Sequence, residues 1–225
     1  MDRATGRGSA ALITLFFVSG AASLVYEAVW NRLLVLQMGN TAYALTTILT
    51  VFMGGLALGS HLGGRVASRL RNPLRVYGWL ELGIGLYCAA VPFGIQALEP
   101  VMAWVYNGTF SSLATFSLFQ FMACGVVLLL PITAMGATLP IVADFVARSS
   151  GGISASVGLA YGVNTFGGFV GVLVGGLLLV PTLGLFTANL VAASLSALAS
   201  LLPQSARGNA ARHVPVHRNA DLVFS

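Results

Sequence analysis

Apolar residues occupy six long blocks of this chain, at 10–36, 42–62, 76–98, 113–142, 157–180 and 183–202. Between them lie short stretches where glycine, proline, asparagine or arginine collect. A helix rises about 1.5 Å per residue, so about 20 residues cross the apolar core of a bilayer, and every block reaches that length. The pattern predicts six transmembrane helices. Block four is the longest and contains Pro131 and Pro140, so it reads as one kinked span whose inner end continues toward Asp144. The predicted layout is a tail over 1–9, a six-helix domain over 10–202, and a polar basic tail or linker over 203–225, with Pro203 ending the last helix.

Composition sets the solvent. Of 225 residues, 57% are hydrophobic and 8% charged, against about 25% charged in an ordinary soluble domain. Six acidic residues and eleven basic ones cannot give such a chain a polar shell, so most of its outer surface faces lipid. The fold class expected is therefore all-α, a polytopic membrane protein.

The chain has no lysine, and its net charge of +5 comes from arginine alone. With the N-terminus in the cytoplasm, Arg3, Arg7, Arg65, Arg69, Arg71, Arg75, Arg148, Arg207, Arg212 and Arg218 fall on the inner side and only Arg32 on the outer. Such asymmetry predicts a multi-pass protein of a plasma membrane with both termini cytoplasmic, its inner face holding anionic lipid headgroups rather than nucleic acid. Arg3 and Arg7 also open a signal-peptide pattern, but the apolar run continues past the small-residue site to Val25, which favours a span.

Cofactor chemistry has little support in these residues. Cys88 and Cys124 lie inside apolar blocks and read as small hydrophobes. His61, His213 and His217 lack ligand spacing, and no strand followed by a glycine-rich turn and helix is present, so neither a metal nor a nucleotide-type cofactor is expected. Asn107-Gly108-Thr109 fits a glycosylation acceptor, yet three residues also make a turn.

Glycines repeat with helical spacing at Gly55, Gly59 and Gly63 in block two, and at Gly158, Gly162, Gly167, Gly171 and Gly175 in block five. Residues four apart share a helical face, so each row is a stripe on which another backbone can approach closely. Blocks two and five are the middle members of two triplets that cross in opposite senses. This suggests a 3+3 inverted repeat, half of a major-facilitator-type fold.

Residues 19–70, which include SLVYEAVWNRLLVLQMGN and VFMGGLALGSHLGGRVASRL, resemble the start of bacterial fused major-facilitator/spermidine-synthase membrane proteins. Residues 128–145, LLLPITAMGATLPIVADF, and 159–185 resemble later parts of the same family. The resemblance implies a membrane region which, in longer members, is joined to a soluble aminopropyltransferase-like domain that makes spermidine from putrescine. No such domain is expected in this chain, so it is not expected to be an enzyme. Ser68 precedes Arg69 where facilitators usually carry an aspartate, which removes the expected charge pair of that loop.

Charges inside the apolar blocks are the candidate functional residues. Glu27, Asn31 and Arg32 have two readings: an outer rim in which block one emerges, with Tyr26 and Trp30 as interfacial aromatics, or a polar seam inside the bundle in which Glu27 meets Tyr161 and Asn164. Glu81 and Asp144 are expected to pair with cytoplasmic arginines. Three functions follow. The first is a membrane domain that anchors or supplies substrate to an aminopropyltransferase-like partner. The second is half of a transporter for a small solute, needing a second membrane half. The third is a structural subunit. Ten inner-side arginines disfavour capture of a polyamine from the cytoplasm.

Overall fold

A computed structural model describes residues 3–108, 113–149 and 153–210, with side chains placed within 13–108, 114–147 and 157–201. The side chains of Arg3, Arg7, Arg148 and Arg207, the whole of Arg212 and Arg218, and Thr109 of the acceptor pattern lie outside that description.

Described secondary structure is helical throughout: α1 Arg3–Met38, α2 Thr41–Ala67, α3 Pro73–Ala97, α4 Glu99–Gly108, α5 Leu113–Ser149, α6 Ile153–Val174, a π-helical turn Gly175–Leu179, and α7 Val180–Ala210. Five stretches are long and apolar enough to cross a membrane: Ile13–Met38, Thr41–Ala67, Pro73–Gly108, Ala114–Ala147 and Val157–Leu201. The chain is a multi-pass membrane protein. Its ends differ from expectation, since α1 is helical from Arg3 and α7 runs past Pro203 to Ala210. A proline removes one backbone donor and does not by itself end a helix whose neighbours hold it, and Pro92, Pro131 and Pro140 are also helix-internal.

Local chemistry explains the sharp turns. At the end of α1, Gly39 takes φ 65°, the left-handed geometry that glycine adopts freely. Asn40 then caps α2, its side-chain oxygen accepting from the backbone N–H of Ala42 and Tyr43 at 2.9 and 3.2 Å. Asn72-Pro73 opens α3 with proline in the first turn, where its missing N–H costs nothing. The last long stretch spans 45 residues, about 68 Å of helix and more than twice a bilayer core. It is interrupted at Gly184, which takes φ 78° and ψ 169°.

Three helix pairs dominate the packing: α2 with α5, α1 with α6, and α3 with α7. In the first, Gly55 meets Ile132, Gly59 meets Gly136 and Gly63 meets Pro140, so the two helices run in the same sense. The second is built alike, with Phe17 against Gly167, Ala21 against Gly171 and Val25 against Gly175. In the third, Gly85 lies near Ser196, Asn189 donates to the Cys88 carbonyl and Phe93 stacks edge-on against Phe186. These helices run in opposite senses.

Glycine is required at the close approaches. A Cβ on Gly59 would collide with the Thr133 carbonyl, one on Gly171 with that of Ala21, and one on Gly20 with that of Asn164. The row expected on α6 divides, because Gly167, Gly171 and Gly175 seat against α1 while Gly158 and Gly162 face open space. Those two are exposed and contribute nothing to this packing.

The apolar core lies between α1, α3 and α7 and extends to α2 and α5. Tyr26 and Trp30 are its largest members, both 0% exposed and stacked with ring centroids 5.3 Å apart. That is at odds with the rim reading, in which they are interfacial aromatics. They point inward because α1 continues to Met38 and turns this face toward α3 and α7.

Candidate functional site: a polar groove along α1

Ser19, Ser23, Glu27 and Asn31 follow one another at intervals of four on α1. Each step advances 400°, so the row drifts slowly around one side of the helix. Its first three members line a groove of about 540 Å³. The groove lies between the two glycine-packed pairs. Leu56 and Ser60 of α2, Gly136 and Thr138 of α5, and Tyr161, Asn164 and Thr165 of α6 complete its wall. A second groove of about 390 Å³ holds Glu27, Asn31 and Arg32 together with Leu45, Ile48, Gly176 and Leu177. Glu27 and Val172 belong to both, so the carboxylate stands where the two meet.

The seam reading of Glu27 thus describes the arrangement better than the rim. Glu27 is partly buried on a helix that continues eleven residues further, and the larger groove brings it together with Tyr161 and Asn164. Among the described residues no side chain hydrogen-bonds or pairs with its carboxylate. The larger groove has no basic residue in its wall, whereas Arg32, exposed, borders the smaller one. A negative group facing hydroxyls, an amide and apolar surface at low dielectric favours a cation.

Polar wall groups hold their places through backbone bonds. Ser23 Oγ donates to the Ser19 carbonyl at 2.9 Å, Thr165 Oγ1 to the Tyr161 carbonyl at 2.9 Å, and Ser60 Oγ to the Gly136 carbonyl of the neighbouring helix at 3.1 Å. Each hydroxyl oxygen keeps lone pairs for an incoming donor.

Glu81 and Asp144 lie outside both grooves. The arginine expected beside Glu81 is not there. Its carboxyl is 2% exposed and accepts from Ser19 Oγ at 2.5 Å, with the Tyr77 and Ser196 hydroxyls also facing it. Position explains the difference: Glu81 sits two turns into α3 on the face that meets α1 and α7, whereas Arg65, Arg69, Arg71 and Arg75 are exposed. Asp144 is partly buried near the C-terminal end of α5.

Two features went unread in the sequence. The period-four row of Ser19, Ser23, Glu27 and Asn31 was visible, but its serines pass as ordinary membrane residues unless aligned with Glu27. A second buried polar tie, Trp30 Nε1 to Asn189 Oδ1 at 3.2 Å and Asn189 Nδ2 to the Cys88 carbonyl at 2.7 Å, joins α1, α7 and α3. No local spacing announces it, since its members lie 159 and 101 residues apart.

Comparison with protein-family models, curated proteins and solved structures gives no match.

Proposed function

We propose that this chain is a membrane domain that binds a small organic cation in the α1 groove and passes it on. The observation that carries this reading is the Glu27 carboxylate, unpaired among the described residues, in a groove with no basic residue in its wall. From Ser23 to Glu27 the row extends four residues, about 6 Å of helix, the scale of a four-carbon diamine with one ammonium on the carboxylate and the other among hydroxyls. Such a solute fits the delivery role implied by the likeness to fused facilitator/spermidine-synthase proteins. The recipient is an aminopropyltransferase-like domain or a second membrane half.

The architecture we propose is six crossings arranged as a 3+3 inverted repeat. Two observations support six: the length of the last apolar stretch and the opposed senses of α3 and the part of α7 beyond Gly184. Support for the repeat comes from the pairing. A two-fold operation exchanging α1 with α5, α2 with α6 and α3 with α7 converts the α1–α6 pair into α5–α2, the α3–α5 pair into α7–α1, and leaves α3–α7 unchanged. All of these pairs pack extensively. The same exchange matches the row Gly55, Gly59 and Gly63 against α5 with the row Gly167, Gly171 and Gly175 against α1. Arginine asymmetry supports cytoplasmic termini in a bacterial inner membrane.

The test is uptake of radiolabelled putrescine by proteoliposomes carrying the chain with whichever second half or soluble partner copurifies. We expect Glu27→Gln to abolish saturable uptake. Uptake unchanged by that substitution, or equal in protein-free vesicles, contradicts the reading.

A further inference from the structure

We propose that Glu81 is a proton-exchanging carboxyl coupled to the groove through Ser19, so that entry of an organic cation releases a proton. The inference rests on the groove being a cation site. It adds the balancing of the cation's charge, done by a residue outside the groove.

Ser19 faces two ways. It lines the groove and donates to a Glu81 oxygen, so one hydroxyl separates the groove from a carboxyl that is 2% exposed. Around that carboxyl stand the hydroxyls of Ser19, Tyr77 and Ser196 and, among the described residues, no cation. The ionisable groups facing Glu81 are Tyr26 from α1 and Tyr77 and Cys88 from α3, while α7 presents Ser196 and α5 presents no charged group there among the described residues. Carboxylate charge in this setting is uncompensated, and a proton removes it. The site has room for the proton's hydrogen bond: the Tyr77 hydroxyl, on a residue 2% exposed, has no hydrogen bond of good geometry, and the Tyr26 hydroxyl has none either.

The step balances without any other reactant. Glu81 COOH becomes COO⁻ and H⁺. The O–H bond breaks as the Ser19 hydroxyl rotates to accept that proton and gives its own to water in the groove. A diamine brings two positive charges and one leaves as the proton, so the ionised Glu27 and Glu81 carboxylates together balance the solute. A structural Glu81 would only tie α1 to α3 and would exchange nothing.

Calorimetric titration of putrescine into the purified full chain, in two buffers of different ionisation enthalpy, counts protons directly. We expect about one proton released per putrescine, and an affinity that rises with pH between 6 and 8 by up to about tenfold per unit. Glu81→Gln keeps shape and hydrogen-bonding capacity and is expected to bind putrescine with no proton release and a flat pH profile. Should that variant not fold, Ser19→Ala decides, because it leaves the carboxyl in place and is expected to suppress release. Release that persists in either folded variant, or wild-type binding without release, overturns the coupling and leaves the groove standing. No putrescine heat in the wild type overturns both, and unaltered binding in Glu27→Gln rejects the groove reading specifically.

Discussion

Glu27 and Asn189 are both polar residues of membrane spans, and their surroundings give them different work. Asn189 is 0% exposed with donor and acceptor satisfied by Cys88 and Trp30, so replacing it with leucine leaves an indole N–H and a carbonyl unpaired. We expect a loss of about 1–3 kcal/mol, read as a lower Tm in detergent, with putrescine affinity unchanged. Glu27→Gln should do the reverse: Tm within a degree or two of wild type and binding weakened at least about tenfold, since one charge-assisted hydrogen bond is lost. The sequence marked Glu27 as exceptional because charge is rare in such a chain. It could not say which way the side chain points, because that depends on how far α1 continues and which face meets α3. Glu81 was misassigned for a related reason: closeness to arginines along the chain says nothing about which side of a helix is buried.

At the scale of elements, small residues decide the contacts. Gly59 lies where any Cβ meets the Thr133 carbonyl, and Gly171 where it meets that of Ala21. We expect Gly59→Leu or Gly171→Leu to separate the parallel pairs and give protein that is not monodisperse by size exclusion. Gly158→Ala and Gly162→Ala should elute as wild type, because nothing lies within 4 Å of either added carbon. The periodicity of four made both rows legible in the sequence but gave no means of dividing them, since an exposed glycine and a packed one have the same spacing. Helix existence was legible for the plainest of reasons, the length of each apolar block. Helix ends were not, because proline inside a packed bundle bends a helix more often than it stops one. Gly184 stands out only through its backbone, at φ 78°. The sequence placed the boundary between its fifth and sixth blocks at 180–183, within a few residues of it.

For the whole molecule, the proposed six crossings put the turn at Gly39 and the break at Gly184 on one side of the membrane, with the turn at Asn72 on the other. Single cysteines at Gly39, Asn72 and Leu183 test this with a membrane-impermeant maleimide, the native Cys88 and Cys124 being fully buried. Labelling of Gly39→Cys and Leu183→Cys from one side and Asn72→Cys from the other is expected. Leu183→Cys labelled together with Asn72→Cys would refute six crossings. Membrane character and the approximate number of spans were available from composition and block length. The groove was not, because it exists only where α1, α2, α5 and α6 converge from four separate parts of the chain. Everything said of function depends on that convergence leaving one carboxylate open to a positive solute. Equilibrium binding of radiolabelled putrescine to the purified chain measures this most directly: saturable binding by wild type that disappears in Glu27→Gln is the predicted result, and equal binding by both proteins, or binding by neither, contradicts it.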